Sequence, residues 1–401
     1  MQGFSVILAA LFGCFVYFLG AMSRVAVPGM AFELIMADYG FTADQIAMLP
    51  SAGVIGCMAS IGVAGLLVDR YGWARMLLVG SLVQALGYIP VHESSRLPWM
   101  LAGEFVNGGG RTIVYLAILK LFDVSFSRKN FAALIGIFYI FAYGGTLSAS
   151  EAFPWLMDLC GTWQLAARAV NFGTLAGALL IAIALSVGLR SRTNAVAETS
   201  DGGCKLFAWA SLKGAFASPI ACTALIAAGL NIAIYWSFLT VSAGPYLRSI
   251  DQAGLLRAMN GIVMFGMVAM GSVSLFFGNA RRPFFLWGSS ALVAGFAALL
   301  AGSPILGCVL IGAGYGVTSV LLAGTKECVP VAFMASAIGF TNFFANIVQV
   351  GANQASGILM ETDKMGYGAI FALYLALSTV SLVAAVWHCL IRRRPAVSGA
   401  A

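Results

Sequence analysis

Residues 65–75 read Gly65-Leu66-Leu67-Val68-Asp69-Arg70-Tyr71-Gly72-Trp73-Ala74-Arg75. This stretch places one acid and two basic residues between two long apolar runs, 43–68 and 74–91. Its charges interrupt the apolar pattern over only a few residues, and Gly72 suits a tight connection. The stretch therefore predicts a short polar turn between two neighbouring helices that each cross a membrane.

The composition of the whole chain agrees with membrane helices on both sides of this turn. Of its 401 residues, 61% are hydrophobic and 9% are charged, whereas a soluble domain has about 25% charged residues. A helix needs about 20 mostly apolar residues to span a bilayer, and the apolar runs here are too long for the strands of a barrel. We therefore predict an all-α polytopic membrane protein.

Working outward from the turn, twelve apolar runs lie between charged or Pro/Gly-rich breaks. They are 6–32, 43–68, 74–91, 98–121, 131–151, 165–189, 219–242, 256–278, 283–301, 303–324, 331–357 and 367–390. The longest polar stretch separates the sixth from the seventh. We predict two six-helix pseudo-repeats around a central cavity: an N-terminal bundle (1–189), a cytoplasmic connector (190–215), and a C-terminal bundle with a short basic tail (216–401).

The distribution of lysine and arginine predicts the orientation. With the N-terminus inside, fifteen of these residues fall in cytoplasmic segments and five in external loops, a clear positive-inside bias. We expect an integral plasma membrane protein, in bacteria the inner membrane, with both termini in the cytoplasm. The net charge of +7 is thus a topology signal, and no nucleic-acid partner is needed to explain it.

The spacing and position of residues 65–75 resemble the G-x-L-x-D-R-x-G-(x)-x-R signature between helices 2 and 3 of major facilitator proteins. The resemblance implies a secondary transporter. It also implies a conformational latch in which Asp69 faces the N-terminal end of helix 11 and the arginines pair with carboxylates. The latch residues are Gly65, Asp69, Arg70, Gly72 and Arg75.

The second half carries only an incomplete copy of this signature, at residues 278–282, which lacks the acidic residue. In the first helix, Ser23-Arg24-Val25-Ala26-Val27 resembles the anion:cation symporter branch of the same family, which carries a binding arginine there. That likeness implies an anionic substrate.

Two arginines, Arg24 and Arg111, lie inside predicted spans. A charge at the centre of a membrane helix costs about 2.5–3.5 kcal/mol on translocon scales, so such residues usually face a cavity or a partner. We expect both to bind the substrate's anionic group through charge-assisted hydrogen bonds. The alternative for Arg24 is that its side chain extends to the membrane surface.

Glu104 is the first candidate for a proton-carrying carboxylate. It precedes Arg111 by seven residues, so both project from one helix face about 10 Å apart and could flank a small bound molecule. Glu151 is the second candidate, and its alternative role is an interfacial charge that reaches loop water.

Polar and aromatic residues at helical spacing complete the predicted site. For the asparagines of the eleventh predicted run, 331–357, the alternative role is amide contact between helices. The predicted substrate contacts are Tyr17, Tyr139, Tyr143, Asn231, Tyr235, Tyr315, Asn342 and Asn346.

These residues favour proton-coupled uptake of a small carboxylate-type anion by alternating access. Efflux or exchange of a metabolite or drug on the same fold is the alternative, and an intramembrane enzyme has no supporting catalytic set. With two histidines and no Cys/His cluster in the sequence, we expect no cofactor and no metal. The expected partners are the anion, a proton and the lipid bilayer, and we expect a monomer.

Overall fold

A computed structural model describes residues 2–125, 128–188, 218–276, 281–328, 334–362 and 366–391. Within these ranges every regular element is a helix, as the sequence predicts. The predicted connector 190–215 lies outside the described residues.

Within the described residues, the first half contains seven α-helices. The first continues into a π-helix, Ala26–Met30, and the short second helix has no counterpart among the predicted spans. The bounds are α1 Gln2–Val25, α2 Phe32–Tyr39, α3 Ala43–Tyr71, α4 Trp73–Glu93, α5 Leu97–Ser125, α6 Arg128–Cys160 and α7 Trp163–Gly188.

The described part of the second half contains eight α-helices and a second π-helix, Phe238–Ser242, between the first two. The predicted run 303–324 is split in two near Val317. The bounds are α8 Pro219–Ser237, α9 Ala243–Ser249, α10 Gly254–Phe276, α11 Arg282–Leu300, α12 Pro304–Gly316, α13 Thr318–Glu327, α14 Met334–Thr362 and α15 Gly368–Leu390.

Eight helical segments among the described residues are long and apolar enough to cross a membrane. They are Ser5–Met30, Ala43–Ile61, Trp73–Glu93, Trp163–Ser186, Pro219–Ser249, Arg282–Leu300, Pro304–Thr325 and Gly368–Leu390. Helix α5, which carries Glu104 and Arg111, and α14, which carries a row of amides, are not among these eight. Their polar residues lower the apolar character that length alone would suggest.

The turn at residues 65–75 is built around Gly72. This glycine ends α3 and precedes α4 with φ of +82°, a conformation that side chains with a Cβ rarely adopt. Its N–H donates to the carbonyl of Val68, and its own carbonyl accepts from the N–H of Met76. The start of α3 is fixed by a capping box between Thr42 and Gln45.

Packing divides the described residues into two units. The first draws on the ranges 1–206, 237–260 and 350–366, and the second on 207–236, 261–349 and 367–401. The first unit has a buried apolar core that includes Val16, Leu77, Ile118 and Phe138. The core of the second unit includes Phe285 and Leu321.

Glycines bring α3 and α5 into backbone contact within the first unit. A Cβ on Gly56 would lie 2.0 Å from the carbonyl oxygen of Phe105, and one on Gly108 would lie 2.0 Å from that of Gly53. Both distances are far below van der Waals contact, so these two positions accept glycine alone. This close approach determines where the charged side chains of α5 lie.

Candidate functional site

Two charged side chains of α5 are buried beside α3. Glu104 is 3% exposed and Arg111 is 7% exposed. An ideal Cβ on Gly53 would lie 3.1 Å from Glu104 Oε2 and 3.1 Å from Arg111 Nη2. The two side chains, which start almost two helical turns apart, therefore reach the same space above Gly53.

Both groups have polar atoms that the described protein leaves unbonded. Arg111 Nη1 donates to the carbonyl of Gly20 at 3.4 Å, a long hydrogen bond. Among the described residues, Arg111 Nε and Glu104 Oε1 are buried without a hydrogen-bond partner. A buried polar atom without a partner costs about 1–3 kcal/mol, so this space is suited to a polar ligand.

Helix α1 contributes Arg24 and Tyr17 to the same region. The charges of Arg111 and Arg24 act on the Glu104 carboxyl group, and they also act on the Tyr17 hydroxyl. Arg24 is only partly buried. We call Tyr17, Arg24, Glu104 and Arg111 the charge cluster.

Aromatic side chains border the charge cluster. The Tyr17 ring lies 4.7 Å from that of Phe138 and 6.1 Å from that of Tyr115, measured between centroids. The predicted residues Tyr139 and Tyr143 are also in contact, at 6.1 Å. Sequence reasoning missed Tyr115, although its position one helical turn after Arg111 could have revealed it.

Helix α4 supplies further polar residues that sequence reasoning missed. Gln84 donates to the carbonyl of Val16 at 3.2 Å, and Asn107 of α5 donates to the carbonyl of Gln84 at 3.1 Å. Tyr88 is 2% exposed, and the charges of Glu104 and Arg111 act on its hydroxyl. The spacing 84, 88 and 92 along one face of α4 is the signal that could have identified this row.

Glu151 lies on the surface. It pairs with Arg257 at 3.1 Å, and the two side chains are 44% and 62% exposed. An exposed ion pair of this kind contributes about 0–1 kcal/mol. The two predicted proton carriers thus have very different surroundings.

The second unit positions three of the predicted substrate contacts. Asn231 of α8 donates to the carbonyl of Gly314 at 3.1 Å and accepts from the Thr318 hydroxyl at 2.9 Å. The Tyr235 and Tyr315 rings stack with centroids 3.8 Å apart. These contacts attach α8 to α12 and α13.

The amides of α14 differ in burial. Asn342 and Asn346 are partly buried. Asn353, further along the same helix, belongs to the first unit, where it donates to the Ser51 hydroxyl at 3.2 Å.

Comparison with protein-family models decides the family, since the model of the Major Facilitator Superfamily matches residues 13–353. The chain belongs to this superfamily. A comparison with curated proteins finds no match. The match confirms the family resemblance of residues 65–75 and the two-repeat fold predicted from the twelve apolar runs, whereas assignment to the anion:cation symporter branch stays a prediction.

Solved structures of major facilitator transporters have the same fold at low sequence identity. The nucleoside transporter NupG has a TM-score of 0.74 at 13% identity, covering 97% of this chain and 100% of that one. A D-xylose-proton symporter has a TM-score of 0.73 at 12% identity, with 98% of each chain covered. The peptide transporter POT in complex with sulfate has a TM-score of 0.70 at 16% identity, covering 96% and 94%.

This major facilitator protein is therefore an integral membrane protein and a secondary transporter, and it is not an enzyme. Members of the superfamily bind small molecules, often together with protons, within a lipid bilayer. Among the residues described, no group of three His, Cys, Asp or Glu side chains could hold a metal ion.

The signature turn of the superfamily is partly described. Gly65 and Arg75 belong to α3 and α4, Gly72 forms the turn itself, and the Arg70 guanidinium lies 5.4 Å from the centroid of the Tyr71 ring. The side chain of Asp69 lies outside the described part, so its role in a latch stays a prediction.

Residues 278–280 of the incomplete copy lie outside the described ranges. Arg281, within this copy, pairs with Glu327 at 2.8 Å.

Proposed function

We propose that this transporter takes up a small organic anion with a carboxylate group together with a proton. Arg111 and Arg24 bind the anion, and Glu104 carries the proton. The observation that carries this proposal is the shared buried space beside Gly53, which both Arg111 Nη2 and Glu104 Oε2 reach.

The charges of the cluster link the proton to the anion. With Glu104 ionised, two arginines face one carboxylate, and the Arg111 guanidinium has an internal partner. When Glu104 takes up a proton, the buried guanidinium of Arg111 loses the carboxylate charge that shares its space, which is unfavourable away from water. A carboxylate substrate restores the balance, so proton and anion bind together.

The remaining predicted substrate contacts have different roles in this proposal. Tyr17 lies within reach of the arginine charges, so its hydroxyl can also contact the anion, with Tyr139 and Tyr143 beyond it. Asn231 already uses one amide N–H and its oxygen within the protein. We therefore assign Asn231 to positioning α8, while Tyr235, Tyr315, Asn342 and Asn346 stay predicted contacts.

Exchange or efflux of a metabolite is the second candidate function. It is favoured by the same closeness of Glu104 to Arg111, because a permanently ionised Glu104 would simply neutralise that arginine. In that case the transporter would exchange anions without moving protons.

A transport assay in liposomes that contain the purified protein distinguishes the two functions. A thermal-shift screen of organic acids first identifies a substrate. An inward proton gradient should then drive accumulation of that acid, and Glu104→Gln should abolish accumulation while sparing counterflow, which needs no net proton movement.

Glu151→Gln is the matched control for this experiment, because it removes an exposed carboxylate and should leave accumulation unchanged. Accumulation that ignores the proton gradient in the native protein would reject symport and favour the exchanger.

A further inference from the structure

His92 is a buried titratable residue that the proposed substrate site does not use. It lies near the end of α4 and is 5% exposed. Its Nδ1 atom lies 3.2 Å from Oε1 of Glu93, and Arg168 of α7 donates to the other oxygen of that carboxylate at 2.6 Å. Glu93 is 43% exposed, so a buried ring here contacts a carboxylate that reaches the surface.

The second ring nitrogen of His92 contacts an amide. Asn171 Nδ2 lies 3.2 Å from His92 Nε2, and Asn171 Oδ1 is buried with no hydrogen-bond partner among the described residues. In this orientation the amide donates to an unprotonated Nε2. If the amide turns over, its oxygen accepts from Nε2–H, so Asn171 can satisfy the ring with or without a proton at Nε2.

Tyr88 extends this row toward the charge cluster. Its ring lies one helical turn before His92, with centroids 5.7 Å apart and the rings edge to face. The Tyr88 hydroxyl is buried and makes no hydrogen bond within the described ranges. The charge of Glu104 acts on that hydroxyl.

The backbones of α4 and α5 approach closely at this point. A Cβ on Gly103 would lie 2.7 Å from the carbonyl oxygen of Gly87. These two glycines immediately precede Glu104 and Tyr88 in the sequence. Glu93, His92 and Tyr88 thus form a row of titratable groups that runs from the surface toward the buried carboxyl group of Glu104.

We propose that His92 relays protons between the surface carboxylate Glu93 and Glu104, with Tyr88 as the intermediate carrier. This relay rests on the proposed proton-coupled uptake. The positive-inside distribution of charges puts Glu93 on the outer side of the membrane, which is the side from which protons would enter.

Each step of the relay moves one proton and no electrons. The neutral ring starts with its proton at Nε2, accepts a second proton at Nδ1 from the Glu93 carboxyl group, and then releases the proton that it held at Nε2. Proton exchange returns the ring from the Nδ1–H form to the Nε2–H form before the next transfer. The Tyr88 hydroxyl accepts that proton and gives its own to the Glu104 carboxylate. A water molecule can bridge a gap longer than one hydrogen bond. Glu93, Arg168, Asn171 and Tyr88 are the groups that face the ring and would set its affinity for a proton.

The relay predicts that two substitutions slow proton movement without preventing substrate binding. His92→Gln removes the titratable ring. Tyr88→Phe removes only a hydroxyl that makes no hydrogen bond in the described protein, so this variant should fold normally. In proteoliposomes with an internal pH dye, both should slow substrate-dependent proton uptake by about tenfold or more, while counterflow of the identified organic acid stays unchanged.

His388→Gln is the matched control, since the chain has two histidines and His388 is equally buried, at 2% exposed, in the second unit. The His388→Gln protein also leaves one imidazole, so nitrogen NMR reports His92 alone. That signal should switch between neutral and charged ring over the pH range in which transport runs.

Three results would overturn the relay. One is an imidazole signal that keeps a single protonation state throughout that pH range. Another is that both variants take up protons as fast as the unsubstituted protein, while that protein does couple transport to protons. This result would leave the proposed function intact. The third is native protein that moves no protons with substrate, which would reject both proposals.

Discussion

Arg111 is a buried cation whose guanidinium has capacity left for a ligand, because its one hydrogen bond within the described protein, to Gly20, is long. Arg111→Lys keeps the positive charge but loses the planar pair of donors that matches a carboxylate. Loss of one charge-assisted hydrogen bond should raise the substrate Kd by about tenfold to a hundredfold. Arg24→Ala should weaken binding similarly, and titration calorimetry with the identified acid measures both.

Arg257→Lys serves as the control for these two substitutions, since Arg257 is exposed and paired with Glu151. Its Kd should match that of the native protein. If Arg111→Lys and Arg24→Ala also bind with native affinity, the anion must bind elsewhere.

The sequence identifies the charged members of the site better than the uncharged ones. Arg24, Glu104 and Arg111 stand out because a charge inside an apolar run is rare. Tyr88 and Tyr115 do not stand out, since uncharged polar residues are common in membrane helices and their roles depend on which helices pack together. Burial is partly visible in the sequence, because Glu104 lies inside the apolar run 98–121 whereas Glu151 ends the run 131–151.

The contact between α3 and α5 is the element on which the charge cluster depends. At Gly53 an added Cβ meets the ends of two flexible side chains at 3.1 Å, whereas at Gly56 it meets backbone at 2.0 Å. Gly53→Ala should therefore fold almost normally but displace Glu104 and Arg111, which raises the substrate Kd. Gly56→Ala should destabilise the protein by at least about 1–3 kcal/mol.

Thermal unfolding and substrate titration of the two purified variants separate these effects. Gly351→Ala in α14 is the control, since nothing lies within 4 Å of the added Cβ. Equal loss of stability in Gly53→Ala and Gly56→Ala would contradict the distinction between side-chain and backbone contact.

The sequence predicts where the helices lie better than it predicts their interruptions and π-helical turns. Charged or Pro/Gly-rich breaks bound the apolar runs, so the described part of each predicted span coincides with a helix or with consecutive helical segments. The division between α12 and α13 and the two π-helices were not predicted. A local shift of backbone hydrogen bonds leaves the apolar pattern almost unchanged, so it has no sequence signature of its own.

The whole first unit is built from both halves of the sequence. Arg248 donates to the carbonyl oxygens of Gly29 and Met30, Gln354 donates to the carbonyl of Asp44 at 3.4 Å, and Asn353 bonds to Ser51 as described above. The division of the chain into bundles 1–189 and 216–401 stays a prediction. Alternating access by those bundles would require these contacts to break during each cycle.

A crosslink between Ser51 and Asn353 tests this requirement. Their side-chain polar atoms lie 3.2 Å apart, so Ser51→Cys with Asn353→Cys should form a disulfide under a membrane-permeable oxidant. Oxidation should stop transport in proteoliposomes, and a reductant should restore it. Ser289→Cys with Ser381→Cys is the matched control, because these hydroxyls lie 2.9 Å apart within the second unit and their crosslink should not affect transport. Full transport by the oxidised Ser51/Asn353 pair would show that this contact persists through the cycle.

The two π-helices occupy matching places in the two halves of the chain. Ala26–Met30 follows α1, the first described helix of the first half, and Phe238–Ser242 follows α8, the first described helix of the second half. A π-turn holds one residue more than an α-turn by its i→i+5 bonding. The wider turn therefore belongs to the repeated six-helix unit, whereas the complete signature at residues 65–75 belongs to one half alone.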